Sequence, residues 1–179
     1  MSDKKVNVIS KVRYPITVNF PEHHFSRTWE REGAVKSIDY DILQEGMSQH
    51  GFEYMIKTGM LYIEDMNVKK ELDVEPEDAT EPVNIIVYSD KEIKELFSTK
   101  KSLKAFEEAL EKTTDEQRKN IAHKAVDLKL NDIEKARVLY EMSGVNVAAL
   151  IEEKVRDEKE AAEAAENTKT NSTRRGAKK

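Results

Sequence analysis

The chain has 179 residues, a formal net charge of −5 and no cysteine, so it is long enough for one domain or for a small domain with a helical appendage. The lack of cysteine excludes disulfides and thiolate metal sites, and the negative charge argues against a general nucleic-acid coat, because neutralising phosphates requires a basic surface. The lack of cysteine also fits folding in a reducing cytoplasm, and the charged, polar N-terminus argues against a signal peptide. No apolar run approaches membrane-spanning length, so no membrane contact is expected.

The spacing of apolar residues divides the chain into two parts. Residues 6–90 carry short strand-like and helix-like segments, whereas residues 91–165 carry helical spacing only. We therefore predict an α+β fold, in which a small N-terminal mixed-sheet domain with short helices precedes a C-terminal helical region. Residues 1–5 are expected to form a flexible arm and residues 166–179 a disordered basic tail.

The first domain is expected to begin with two strands, or one broken edge strand, over residues 6–20. A further strand is predicted over residues 34–38. A brief helix follows over residues 39–47, with Asp39 as its N-cap and Gly46 as its end.

The stretch over residues 51–65 predicts a helix, a glycine stop and a buried strand. Gly59 suits the helix C-terminus because glycine accepts positive φ without steric cost. Residues 61–63 then alternate as in a strand with apolar groups on both faces, and a short helix is expected over residues 67–72. The β-branched run at residues 83–88 is the most clearly marked strand, and we place it centrally beside residues 61–63.

Two features contain residue types that bind metals, but their spacing does not fit the geometry of a metal site. The acidic loop over residues 73–82 has alternating carboxylates like calcium ligands, but it lacks the mid-loop glycine and Pro76 stiffens it, so we interpret it as a solvated linker. His23 and His24 are adjacent and point in different directions, which favours ordinary loop histidines. No nucleophile elbow or phosphate-binding loop is present, so we predict no catalytic, cofactor-binding or metal-binding residue.

The helical region carries recognisable end signals. Ser102 is a predicted cap, and Thr114 and Asn131 are each followed three residues later by Gln or Glu, as in a capping box. One apolar face is expected from Ile133, Ala136, Val138, Leu139 and Tyr140. Residues 131–155, turning at Gly144, are compatible with a helix-turn-helix. The exposed positions of the second helix are largely acidic, so a generic hairpin is the first interpretation and DNA reading the second.

Two groups of residues are candidates for contacts with partners. Trp29 with Phe25 and Tyr14 is a candidate exposed aromatic anchor. Burial in the core of the small domain is the favoured interpretation, because a short turn would place Phe25 and Trp29 against the core. The second group is the basic tail, which would hold nucleic acid or an acidic protein surface by charge: Lys169, Arg174, Arg175, Lys178 and Lys179.

Three segments, NFPEHHFSRTWEREGAVKSIDYDILQEG, GFEYMIKTGMLYIED and EPEDATEPVNIIVYSD, precede a charged helical C-terminal half. In order and texture, over about residues 14–155, this arrangement resembles small uncharacterised proteins of tailed bacteriophages. The resemblance implies an accessory structural role in the capsid, neck or tail, with synthesis in the host cytoplasm and residence in the virion. It carries over no functional residue.

The leading hypothesis is a non-enzymatic virion structural or assembly protein that acts by protein–protein docking. Its expected partners are other virion proteins in a ring or lattice, together with further copies of itself. The alternative is a nucleic-acid-binding or regulatory module that uses the hairpin at residues 131–155 and the basic tail. An enzyme is a third class, disfavoured because no catalytic motif is present.

Overall fold

A computed structural model describes residues 4–176, with side chains described for residues 4–163. The N-terminal part contains β1 Lys5–Ser10, β2 Ile16–Phe20, β3 Phe25–Trp29, β4 Val35–Asp39, α1 Tyr40–Gly46, α2 His50–Lys57, β5 Leu61–Ile63 and α3 Met66–Glu71. The helical region contains α4 Asp90–Phe97, α5 Leu103–Glu111, α6 Asp115–Asp127, α7 Ile133–Ser143 and α8 Val147–Gly176. The predicted α+β class, with helices after a small sheet domain, is confirmed.

The strands form two antiparallel sheets rather than the predicted mixed sheet. The larger sheet has the order β4-β1-β5, and the smaller is the β2–β3 hairpin. The short turn expected around Phe25 and Trp29 is wrong, because these residues begin and end β3 and pair with Phe20 and Ile16 of β2. Their four-residue spacing places both rings on one face of a strand, since side chains alternate with a period of two.

The first hydrophobic core lies between the two sheets and the short helices. The Nε1 of Trp29 donates a hydrogen bond to the carbonyl of Val8 at 2.8 Å and so connects the two sheets. Phe20 packs edge-on against Phe52, with ring centres 5.3 Å apart. Gly46 is the last residue of α1, as predicted, and a Cβ there would lie 2.7 Å from the Phe20 ring. Glycine is therefore needed at this position for close packing.

The predicted central strand at residues 83–88 is wrong. The structure assigns no strand there, and β1 is the strand to which β5 is bonded. The buried Glu75, only 2% exposed, accepts the N–H groups of Val83, Asn84 and Ile85 at 3.0, 2.9 and 3.1 Å. Because a side chain takes these donors, the segment does not enter a sheet. The acidic loop is thus not a fully solvated linker.

The helix, glycine stop, strand and short helix predicted over residues 51–72 are present, and so are the predicted starts of α5 and α6. Gly59 adopts φ +77° after α2. Thr114 and Gln117 form a capping box at the start of α6, and Ser102 caps α5. The cap of α7 is Asp132 rather than Asn131, because the Asp132 carboxylate accepts the N–H of Lys135 at 3.1 Å.

The second core is formed by α4 to α7 and the start of α8. Ala136, Val138 and Leu139 face it as predicted, but Ile133 is 81% exposed and Tyr140 is 49% exposed, so the predicted face is too wide. Among the described side chains of α8, those at residues 152–163 lie outside this core. In the described part of the chain, no helix is both long and apolar enough to cross a membrane.

Candidate docking surface

The two parts of the molecule meet where the β1–β2 loop lies against α6. The Asn120 Nδ2 donates to the carbonyl of Lys11 at 2.6 Å, and the Arg13 guanidinium donates to the carbonyl of His123 at 3.1 Å. Arg13 also pairs with Asp127, which is a third contact between the loop and the same helix. These bonds define a seam between the loop and α6.

Two further contacts extend the seam along α6. The Thr114 hydroxyl donates to the carbonyl of Thr58 at 2.7 Å, next to the turn that follows α2. The Lys124 ammonium lies 2.8 Å from Glu32 and 3.2 Å from Asp90, so one cation connects the β3–β4 loop with the start of α4. Residues distant in sequence thus hold the two parts in one arrangement.

A groove of about 90 Å³ opens beside the seam, between loop residues 11–14 and α6. Tyr14 forms part of its rim and is 51% exposed. Tyr54 of α2 is 56% exposed and lies within electrostatic reach of Tyr14. Burial raises the pKa of the Tyr14 phenol, and the charges of Glu116 and Tyr54 raise that pKa further while Lys119 lowers it. We call Tyr14, Tyr54 and this groove the junction patch.

The junction patch has the chemistry of a protein-contact site. Tyrosine rings present a large apolar surface with a polar tip, which is why they are enriched where proteins bind one another. The charged groups at the groove are partly neutralised already, since Lys119 lies 2.7 Å from Glu116 and Arg13 is paired with Asp127. A partner side chain entering the groove therefore meets tyrosine and few unpaired charges.

The seam is expected to weaken in mild acid. Burial lowers the pKa of His123 from its ordinary value of 6.5, and the adjacent Arg13 lowers it further, against smaller opposing effects of Asp127 and Glu32. Because the unfolded chain then takes up the proton first, the folded state loses stability as pH falls below about 6.5. We expect His123→Gln to lose less stability than the wild type between pH 7 and 5 in urea unfolding. Equal losses in the two proteins would contradict this.

Of the three aromatic residues considered as an anchor, Tyr14 lies in the junction patch and is 51% exposed. Trp29 is fully buried and Phe25 is 6% exposed, as the favoured interpretation expects, so neither ring is available as an exposed anchor. The basic residues lie outside the part of the chain whose side chains are described, and the tail's role stays a prediction: Lys169, Arg174, Arg175, Lys178 and Lys179.

Sequence reasoning missed Tyr54. The signal was present, because Tyr54 lies two positions from both Phe52 and Ile56 and therefore away from the buried face of α2. An aromatic residue on the solvent side of a short amphipathic helix is a reason to look for a contact surface.

Among the described residues, no three His, Cys, Asp or Glu side chains are grouped to hold a metal ion. The Nε2 of His23 lies against the Glu45 carboxylate, and His24 adopts a left-handed conformation with φ 49° at the end of a 3-10 turn. The absence of catalytic and cofactor-binding residues stays a prediction.

No protein-family model matches this sequence, and neither does any curated protein or solved structure in the comparisons.

Proposed function

We propose that this protein is a non-enzymatic structural or assembly protein that docks onto other proteins through the junction patch. The setting that we propose is the particle of a tailed bacteriophage, in its capsid, neck or tail. The setting rests on the resemblance of three sequence segments. The docking role rests on one structural observation, the pair of half-exposed tyrosines beside a groove.

The position of the patch supports this proposal. Tyr14 lies on the β1–β2 loop, in which Lys11 and Arg13 are hydrogen-bonded to α6. Tyr54 lies on the regular helix α2. A contact surface held in place before binding loses little conformational entropy when a partner arrives. The partner's binding energy is therefore not spent on ordering the loop.

The proposal predicts a binding defect without a folding defect. We expect the double variant Tyr14→Ala/Tyr54→Ala to co-sediment with purified particles of the phage that encodes the protein at least about tenfold more weakly than the wild type, as for two interface anchors. Its thermal midpoint should stay close to that of the wild type, because both side chains are about half exposed.

Tyr140→Ala is the matched control, because Tyr140 is 49% exposed but lies on α7. It should co-sediment like the wild type. If the wild-type protein does not associate with particles, the proposed function is wrong. If Tyr140→Ala weakens co-sedimentation as much as the double variant does, the junction patch is not the docking site.

The nucleic-acid alternative has weaker support. The α7–α8 hairpin turns at Gly144, but its exposed side chains include Glu134, Glu141, Glu152 and Glu153, which repel phosphates. A gel shift that survives removal of residues 167–179 would favour this alternative over docking to protein.

A further inference from the structure

Within the described structure, one charge of the junction patch has no counter-ion. The charged residues that line its groove are Lys11, Arg13, Lys119 and Glu116. Lys119 lies 2.7 Å from Glu116, and Arg13 is paired with Asp127. Among the described residues, the Lys11 ammonium forms neither an ion pair nor a hydrogen bond. The groove thus carries a surplus positive charge, although the net charge of the whole chain is −5.

The Lys11 side chain is partly removed from water. Its Nζ lies 5.2 Å from the centre of the Tyr62 ring, which attracts a cation only weakly at this distance. Burial lowers the pKa of Lys11, against the opposing charges of Glu64 and Glu32. The Lys124 ammonium also lowers the pKa of Lys11. Because a partly desolvated cation is costly without a counter-ion, a carboxylate that arrives at Lys11 is attracted.

A narrower cleft adjoins the groove and contains an unpaired donor. The residues that line both spaces are Lys11, Val12, Glu116 and Asn120. Gln117 lines the cleft and is only 5% exposed, and its Nε2 has no hydrogen-bond partner in the described structure. Buried donors are almost always bonded, because an unpaired one costs free energy. The cleft therefore presents a donor to an oxygen atom that enters from outside.

The size and polarity of the cleft match one acidic residue of a partner chain. The space in the cleft is about 10 Å³, close to what a single water oxygen requires. The Oδ1 of Asn120 is also buried and unpaired in the described structure, and Asn120 lines the same cleft. An acidic residue offers a carboxylate oxygen to the Gln117 donor and its main-chain N–H to the Asn120 acceptor. A basic side chain offers no acceptor and is repelled by Lys11.

We propose that the docking partner places an aspartate or glutamate in the junction patch, where its carboxylate pairs with the Lys11 ammonium and accepts the Nε2–H of Gln117. Neighbouring residues of the partner segment cover the rings of Tyr14 and Tyr54. Charge complementarity selects this occupant, because the other charged residues of the groove already have partners. This inference rests on the proposed function and adds the chemistry of the segment that docks.

Lys11→Met tests the charge, because methionine keeps most of the apolar stem of lysine and removes the ammonium. We expect this variant to co-sediment with particles of the phage that encodes the protein about tenfold more weakly than the wild type in low salt, since a close charge pair is lost. Lys11→Arg retains the charge and should bind more tightly than Lys11→Met. The thermal midpoint of Lys11→Met should not fall, because the substitution removes a partly desolvated charge.

Lys70→Met is the matched control for this substitution. Lys70 is also partly buried and has no ion pair among the described residues, but it lies on α3, outside the groove. Lys70→Met should co-sediment like the wild type. Binding of Lys11→Met as tight as that of the wild type, or an equal loss in Lys70→Met, would overturn the inference.

Carbodiimide coupling tests the pairing directly, since it joins an amine only to a carboxylate in contact with it. After treatment of particles with the wild type bound, mass spectrometry should find Lys11 linked to an aspartate or glutamate of a particle protein. If the wild type co-sediments but only lysines outside the groove are coupled, the inference is wrong and the proposed function stands. If the wild type does not co-sediment, the proposed function is wrong and the inference is wrong with it.

Discussion

Replacing Glu75 with alanine is expected to lower the free energy of unfolding by about 3 kcal/mol, a large effect for a side chain in an acidic loop. The carboxylate accepts three consecutive N–H groups, from Val83 to Ile85. Hydrogen bonds to a charged acceptor are stronger than those between neutral groups, and their loss leaves donors unpaired at a buried site. The Asn84 side chain also bonds to the carbonyl of Val74 at 2.8 Å, so the two segments are joined twice.

The neighbouring Glu77 provides the matched control. It has the same charge and lies in the same loop, but it is exposed. Glu77→Ala should change the unfolding free energy by less than about 0.5 kcal/mol in urea titrations. Glu75→Gln should fall between the two, because the amide keeps one acceptor oxygen and places an NH₂ group against the remaining donors. Equal effects of Glu75→Ala and Glu77→Ala would show that the three bonds do not stabilise the fold.

Glu75 also shows why one strand was predicted wrongly. Residues 83–88 have strong β-propensity, but β-propensity reflects how a residue fits against neighbouring strands rather than a fixed backbone preference. No local pattern indicates that a carboxylate eight residues earlier occupies the donors of Val83. The two segments that this interaction joins were interpreted separately, residues 83–88 as a strand and residues 73–82 as a solvated loop.

The elements that were predicted correctly carry their cause within a few residues. Gly59 ends α2 because the chain needs positive φ there, and Thr114 begins α6 because its hydroxyl and Gln117 satisfy the first N–H groups. The predicted N-cap of α7, Asn131, is wrong because the adjacent Asp132 is an equally good N-cap residue. Residue type alone therefore does not distinguish the two positions.

The junction patch lay largely beyond the reach of sequence reasoning. Tyr14 and Tyr54 come from a loop and a helix that are forty residues apart, and α6 completes the groove. The interaction that positions Tyr14 joins Arg13 to Asp127, across 114 residues of chain. Only the folded arrangement brings these groups together, because contacts of such sequence separation leave no periodic signal.

Trp29→Ala should be the most damaging core substitution, with an expected loss of about 4 kcal/mol in the free energy of unfolding. Trp29 has no exposed surface and is the largest side chain of the first core. Its removal leaves a cavity and also deprives the carbonyl of Val8 of its donor. Trp29→Phe, which retains most of the ring volume, should lose about half as much, whereas Tyr54→Ala, which removes an exposed ring, should lose less than about 1 kcal/mol.

The same substitution tests whether the seam couples the two parts of the molecule. Far-UV circular dichroism follows mainly the helices, most of which lie in the second core, whereas Trp29 lies in the first. Because Arg13, Asn120 and Lys124 join the parts, we expect Trp29→Ala to lower the urea midpoint of the helical signal in one cooperative transition. An unchanged helical midpoint would mean that the two cores unfold independently. In that case the seam would hold the parts too weakly to fix the junction patch.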